Sequence, residues 1–116
     1  MYKRKKNRKF GRETKQRSAL MQSLADALVT HGRITTTQAK AKSLKTYVEK
    51  LVTKGKNNNL GTQRHILRSL GRNSTIKIIK EISPKFMTRN GGYVRISKLP
   101  PRISDGAKMA VIEFIS

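Results

Sequence analysis

Basic side chains crowd the start of the sequence. Residues 1–17 contain nine lysines and arginines and a single acidic residue. Side chains of this type and density bind the phosphate backbone of a nucleic acid and release its condensed counterions. A solvated tail that only aids solubility has the same composition, but the excess positive charge attracts polyanions in either case. The segment therefore predicts a nucleic-acid-binding arm with the candidate contacts Lys3, Arg4, Lys5, Lys6, Arg8, Lys9 and Arg12.

A second constellation lies at residues 89–95, which read Arg-Asn-Gly-Gly-Tyr-Val-Arg. Paired glycines permit unusual backbone angles and the close approach of a ligand backbone. Two arginines suit phosphate contact, and a tyrosine suits stacking on a base or ribose. The alternative interpretation is a turn before a strand with a half-buried tyrosine, and the residues alone support both equally. The candidate RNA contacts here are Arg89, Gly91, Gly92, Tyr93 and Arg95.

Further candidate contacts are spread over the rest of the chain. They are Lys15, Arg17, Lys40, Lys42 and Arg102. Lys40, like Lys45, Arg64 and Arg68, is equally well explained as part of a solvated face, and the alternative for Arg102 is contact with solvent alone. Together they belong to a chain of 116 residues with 27 Lys and Arg against 6 Asp and Glu, a net charge of +21. Nucleic acid is therefore the leading partner. An anionic membrane surface is second, because the arm lacks the apolar face of an interfacial helix.

Catalytic and metal chemistry have little support in the sequence. Cysteine is absent, the two histidines share no metal-ligand spacing, and the six acidic residues form no carboxylate pair. We therefore expect no catalytic residue, no metal, no cofactor and no small-molecule substrate. Apolar runs fall short of the roughly 20 residues that span a bilayer, so no membrane insertion is expected. The N-terminus lacks the apolar region of a secretory signal, which predicts a cytoplasmic protein.

Hydrophobic periodicity predicts the elements that position these side chains. Helices are expected at about Lys15 to His31, Gln38 to Lys54, Gly61 to Leu70 and Thr75 to Ser83. Strands are expected at Arg33 to Thr36, Tyr93 to Leu99 and Met109 to Ile115. The pattern predicts an α+β fold of two layers, with about four helices packed on a small, mostly antiparallel sheet of about three strands. We expect residues 1–13 to form a basic extended N-terminal arm and residues 14–116 to form a single domain.

Several local features refine this prediction. Thr14 and Thr37 are expected to cap the first and second helices, and Asn73 or Ser74 the fourth. Pro84 is expected to end the fourth helix. The apolar faces that should turn inward are Ile66, Leu67 and Leu70 in the third helix, and Ile76, Ile79 and Ile82 in the fourth.

The ordered motifs resemble the L-seventeen family of bacterial large-subunit ribosomal proteins over nearly the whole chain. The opening that ends in Lys9-Phe10-Gly11-Arg12 is similar, as is Ile34-Thr35-Thr36 before Lys40-Ala41-Lys42. The most specific matches are residues 89–96 and 99–102. Departures occur at Tyr2-Lys3, Gln16 and Ser104, where family members often have Arg-His, His and Gly.

The resemblance implies a function as well as a fold. It implies a two-layer fold of helices and a sheet, and binding to large-subunit ribosomal RNA. It also implies neighbouring ribosomal proteins as partners and a place near the peptide exit tunnel. Few aromatic residues are present to stack on bases, so recognition is expected to depend on RNA shape and backbone.

A rival function is architectural DNA binding, since the two short helices around Gly71-Arg72-Asn73 imitate a helix-turn-helix. The second of these helices is too apolar to lie in a DNA groove.

Overall fold

The computed structural model describes residues 14–57 and 59–115. The helices are α1 (Thr14–His31), α2 (Gln38–Gly55), α3 (Leu60–Ser69), α4 (Arg72–Lys77) and α5 (Ser83–Lys85). A π-helical segment, Ile78–Ile82, joins α4 to α5 without a break. The strands are β1 (Arg33–Thr37), β2 (Val94–Leu99) and β3 (Met109–Phe114). Counting α4 to α5 as one helical stretch, the predicted α+β architecture of four helices and three strands is confirmed.

The three strands form one antiparallel sheet in the order β1-β3-β2. Val111 in the central strand pairs with Thr35 on one side and Ser97 on the other. Glu113 lies between Arg33 and Arg95 in the same way. Because β3 is flanked on both sides, three consecutive residues, Ala110, Val111 and Ile112, are buried.

The helices cover one face of the sheet. The core joins Leu28 of α1 and Leu44 and Val48 of α2 to Val94 and Ile112 of the strands. Leaving aliphatic side chains of this size exposed instead would cost about 1.5–3 kcal/mol each.

Helix α2 runs along the sheet from one end to the other. Its first residue, Gln38, donates its backbone N–H to the Lys108 carbonyl oxygen at 2.9 Å, just before β3 begins. Near its end, Thr53 contacts Tyr93, which directly precedes β2. The helix therefore connects the loop at residues 100–108 with the turn at residues 89–93, which lie at opposite ends of the sheet.

Side-chain caps fix the starts of α2 and α3. The predicted cap Thr37 accepts a hydrogen bond from the Lys40 backbone N–H at 3.4 Å. Asn59 accepts from the Thr62 N–H at 2.9 Å, and Thr62 Oγ1 accepts from the Asn59 N–H at 3.1 Å. This reciprocal capping box starts α3 one residue before the predicted Gly61.

Three predicted helix boundaries are wrong. Thr14 is the first helical residue of α1 rather than its cap, and its hydroxyl accepts from Arg17 at 3.2 Å. The fourth helix begins at Arg72, is capped at Gly71 rather than at Asn73 or Ser74, and continues through Pro84 to Lys85. Pro84 is the second residue of α5 and lies one residue before the end of this continuous helical stretch.

The side chains of the fourth helix that face the core differ from the prediction. Ile78 and Ile82 are buried, whereas Ile76, predicted to be inside, is exposed. Ile76 lies about 200° around the helix axis from Ile78, so it faces away from the core when Ile78 faces inward. Ser83 is drawn inward as well, and its hydroxyl donates to the Val52 carbonyl oxygen at 2.9 Å. Leu67 of α3, also predicted to be inside, is exposed.

Candidate nucleic-acid interface

The turn at residues 89–93 lies against the C-terminal part of α2. The Tyr93 hydroxyl donates to the Arg89 carbonyl oxygen at 3.2 Å and lies 3.2 Å from Thr53 Oγ1. The Lys56 ammonium donates to the same Arg89 carbonyl oxygen. Two side chains, Thr53 of α2 and Lys56 just after it, thus hold a turn that is more than thirty positions away in the sequence.

Tyr93 is the centre of this contact and is not available for stacking. Its side chain is 1% exposed. Its ring lies 5.2 Å from the Phe86 ring, and the Lys56 Nζ is 4.6 Å from the ring centroid, a cation–π contact. The prediction that this ring stacks on a base or ribose is therefore wrong, and even the alternative of a half-buried tyrosine underestimated its burial.

The surroundings of Tyr93 also shift its acidity. Burial of the ring raises the pKa of Tyr93, but the Lys56 and Thr53 side chains and the charge of Lys56 lower it more. The net pKa lies below the usual value of 10.0. The phenol therefore loses its proton at a lower pH than an ordinary tyrosine does.

The two glycines of the turn differ. Gly92 has φ +65°, a left-handed conformation that favours glycine, and its carbonyl oxygen accepts from the Arg89 guanidinium at 3.2 Å. Gly91 has no positive φ, and a Cβ placed on it would meet nothing within 4 Å. The fold itself requires a glycine at position 92 but not at position 91.

A groove of about 410 Å³ separates the turn from α2. Its walls include Lys50 and Lys54 from α2 and Asn90 and Gly91 from the turn. Glu49 also lines it, and its Oε2 atom is buried with no hydrogen-bond partner in the part of the chain that the structure describes. We call the positively charged face around this groove the turn surface; it comprises Lys50, Lys54, Lys56, Arg89, Asn90 and Gly91.

The three lysines of the turn surface are absent from the candidate contacts predicted by the sequence. Lys50 and Lys54 are four residues apart on α2, which placed them on one helix face. Nothing in the local pattern distinguishes that face from the other basic faces of the helix. Only the return of the chain at Arg89 shows which lysines lie beside the paired glycines.

The other candidate contacts lie elsewhere. Lys40 and Lys42 are at the start of α2, with Lys40 about 21 Å from Lys54 along the helix axis. Arg102 is in the loop at the same end of the sheet and pairs with Asp105 at 3.2 Å. Arg95 projects from β2 and pairs with Glu113 at 3.3 Å.

The remaining candidates lie at or beyond the start of α1. Lys15 and Arg17 lie in its first turn, and Lys15 is about 24 Å along the helix from His31. The arm contacts at residues 3–12 lie outside the described residues. The structure thus brings Arg89, Gly91, Gly92 and Tyr93 together with α2 lysines and separates them from the other candidates.

Positive charge in the described residues is mostly not neutralised by ion pairs. Across residues 14–57 and 59–115, the ion pairs between described side chains are Arg95–Glu113 and Arg102–Asp105. No three histidine, aspartate or glutamate side chains in these ranges lie close enough together to hold a metal ion. None of the helices in the same ranges combines the length and the apolar character needed to cross a membrane. The dominant surface property is positive charge available to an anionic partner.

Comparison with known proteins agrees with this picture. A family model described as "Ribosomal protein L17" matches residues 20–115, a range that includes the whole turn surface. The chain is 50% identical over 113 residues to the "Large ribosomal subunit protein bL17" of Nautilia profundicola, covering 93% of both chains. It is 46% identical over 111 residues to the protein of the same name from Methylacidiphilum infernorum, covering 95% of this chain and 85% of that relative. For the Campylobacter jejuni protein of that name, identity is also 46%, over 110 residues and 94% of both chains. The basic two-layer chain that carries the turn surface belongs to the L17 family of ribosomal proteins.

Proposed function

We propose that this protein is a structural constituent of the large ribosomal subunit, where it binds and stabilises large-subunit ribosomal RNA. Membership of a ribosomal protein family carries the proposal, and the positive charge that ion pairs leave in place supports the choice of RNA as the partner. The protein acts in the cytoplasm as part of the ribosome, beside neighbouring large-subunit proteins. Its place near the peptide exit tunnel follows from the resemblance of the sequence motifs.

Binding depends on charge and shape rather than on base stacking. Lysines and arginines contact phosphates where RNA helices pack together, and each contact releases counterions. The buried Tyr93 ring holds the turn in place while Arg89 and the α2 lysines face outward. Gly91 has no role within the chain, so its missing side chain allows an RNA backbone to approach the turn closely.

An acidic side chain, Glu49, lies among the lysines that line the turn-surface groove. Its charge opposes a phosphate at that point, so we expect the phosphates at the rim of the groove. Lys50 and Lys54 at the rim hold the adjacent phosphates.

Sedimentation of a tagged full-length chain tests the proposal. We expect the chain to remain with the large subunit on a sucrose gradient in high salt. Replacing both rim lysines by glutamine (K50Q/K54Q) should release it at lower salt, because two phosphate contacts are lost. The matched control K85Q/K98Q, which removes two exposed lysines away from the groove, should behave as wild type.

The outcomes of this experiment distinguish the proposed function of the protein from the proposed role of the turn surface. Sedimentation of the wild-type chain apart from the large subunit contradicts the proposed function. Equal behaviour of the two double variants contradicts only the role of the turn surface. Duplex DNA binding as strong as ribosomal RNA binding at equal salt would favour the architectural DNA-binding alternative.

A further inference from the structure

A second groove lies on the other side of the helical layer, between α3 and α4. It has a volume of about 340 Å³. Its apolar floor includes Leu60, Leu67 and Ile76, which are 61%, 49% and 43% exposed. The other large apolar side chains exposed in residues 14–57 and 59–115 are Met87 and Ile103. Three of these five side chains therefore share this one place, which we call the α3–α4 groove.

The clustering of exposed apolar side chains in this groove indicates an interaction site. Scattered exposed apolar residues are ordinary, but a contiguous apolar patch with a polar rim marks an interaction site. Exposing an apolar side chain to water costs about 25 cal/mol per Å² of its surface, so covering the groove is favourable. The partner must bring apolar surface of its own.

The rim of the groove is basic. Arg64, Arg72 and Lys80 line it, and no carboxylate does so among the described lining residues. Opposite charges around an apolar centre fix orientation and exclude wrong partners. The partner must therefore carry acidic residues beside its apolar ones.

RNA and a second copy of this chain both fit the α3–α4 groove poorly. RNA would place charged phosphates against the leucine and isoleucine floor, which desolvates them without providing a hydrogen bond. A second copy of this chain lacks the required carboxylates, since it has only 6 Asp and Glu. Of these, Glu113 and Asp105 pair with arginines and Asp26 accepts a hydrogen bond from Ser74.

We infer that the α3–α4 groove docks a segment of a neighbouring protein in the large subunit, with apolar side chains at its centre and carboxylates on its flanks. The inference rests on the proposed function, because the partner belongs to the same assembled subunit. A groove between two helices is the geometry in which such amphipathic segments bind.

Photo-cross-linking in purified large subunits tests this inference. Leu67 is replaced by p-benzoylphenylalanine in the full chain, and Ile103, which is 102% exposed outside the groove, is replaced in a matched control. After irradiation, the Leu67 position should cross-link to a protein segment with apolar residues and aspartate or glutamate nearby. The Ile103 position should not give this product.

A charge reversal at the rim provides the second measurement. Arg72→Glu in the Leu67-labelled chain should lower the yield of the protein cross-link about fivefold, the size expected for loss of one exposed ion pair. Arg68→Glu, an exposed arginine on α3 outside the groove, should leave the yield unchanged. Because both side chains are exposed, neither change disturbs the core.

Several outcomes would overturn the inference. These are a cross-link from position 67 to RNA, a cross-link to a segment without carboxylates, or no product beyond that of the Ile103 control. An equal loss of yield in both arginine variants would also overturn it. If both labelled chains enter the subunit and only the groove cross-link is absent, the docking site is wrong while the proposed function stands. If neither chain enters, the proposed function itself is contradicted.

Discussion

Tyr93 shows how a residue suited to binding serves the fold instead. Its position beside two glycines and two arginines was compatible with contact to RNA and equally with a turn before a strand. In the structure its ring is enclosed, and its hydroxyl lies between Thr53 and the Arg89 carbonyl oxygen. The enclosure depends on a contact with a residue forty positions earlier, so no local pattern could have revealed it. The sequence therefore predicted a turn before a strand at these residues, but it did not show that the tyrosine is enclosed.

The acidity of Tyr93 provides a prediction about Lys56. We expect Lys56→Met to raise the pKa of Tyr93, because burial of the ring then acts without the opposing ammonium group. The measurement is an ultraviolet titration of tyrosinate in a chain whose other two tyrosines are replaced (Y2F/Y47F). An unchanged titration midpoint would contradict the contact between Lys56 and the ring.

The sign of the associated stability effect follows from the same shift. The folded chain releases the Tyr93 proton at lower pH than the unfolded chain, whose tyrosine keeps its pKa of 10.0. This tyrosine therefore adds stability as the pH rises toward 10, and its contribution is lost as the pH falls through the lowered folded pKa. The free energy of unfolding of the native chain should therefore increase as the pH rises toward 10. The increase should be smaller in the Lys56→Met variant.

At the scale of elements, the junction between α2 and the π-helical segment depends on Gly55. A Cβ on Gly55 would collide with Ser83 Oγ and lie 2.9 Å from Ile78 Cγ2. Ser83 is fully buried and bonded to Val52, so it cannot move aside easily. The absence of a side chain at position 55 therefore sets how closely these two elements pack.

We expect Gly55→Ala to lower the free energy of unfolding by about 1–3 kcal/mol, the usual cost of forcing extra volume into a packed contact. Urea denaturation followed by circular dichroism measures this change. Gly91→Ala is the matched control and should stay within about 0.5 kcal/mol of wild type, since its added methyl group meets nothing. Equal stability of the two variants would show that the junction can relax.

Most elements that the sequence predicted well have a long and regular apolar pattern. Helices α1 and α2 and strands β2 and β3 begin and end within one residue of their expected positions, because many buried positions reinforce one period. Strand β1 is short and was predicted to within one residue from its β-branched side chains. The fourth helix was misjudged because Asn73 and Ser74 are residue types that favour a cap and because proline usually ends a helix. Leu67 and Ile76 fit a helical period but face solvent, since the period shows which residues share a face and not whether another element covers it.

At the scale of the whole molecule, charge is distributed along the sequence in blocks. Residues 1–17 carry nine basic and one acidic side chain, whereas residues 99–116 carry two of each. The basic helices lie between these extremes and supply the turn surface. Self-repulsion of a net charge of +21 opposes folding of the free chain, and a bound polyanion would relieve it.

Deleting residues 2–12 tests the contribution of the arm, which remains a sequence-based prediction. We expect weaker RNA binding and a flatter plot of log binding constant against log salt, because seven basic residues are removed. If all seven contact phosphates, the slope falls by about 5–6. Helix content should not change.

A control chain with an uncharged glycine-serine segment of the same length at residues 2–12 should match the deletion. An unchanged slope in both would show that the arm does not contact phosphates. Recovery of the wild-type slope by the uncharged segment would show that length rather than charge matters.

The position of β3 has a consequence for the order of events during synthesis. Strands β1 and β2 each pair with β3 in the described sheet, and β3 is the last of the three in the chain. Both earlier strands are synthesised before their shared partner exists. Neither the β1–β3 pair nor the β2–β3 pair can form until residues 109–114 have been synthesised. The apolar side chains of α1 and α2 that pack on the sheet therefore remain without it through most of elongation. An mRNA truncated before the Met109 codon would yield a chain without β3, and β1 and β2 would then have no strand to pair with, so the entire sheet would be lost.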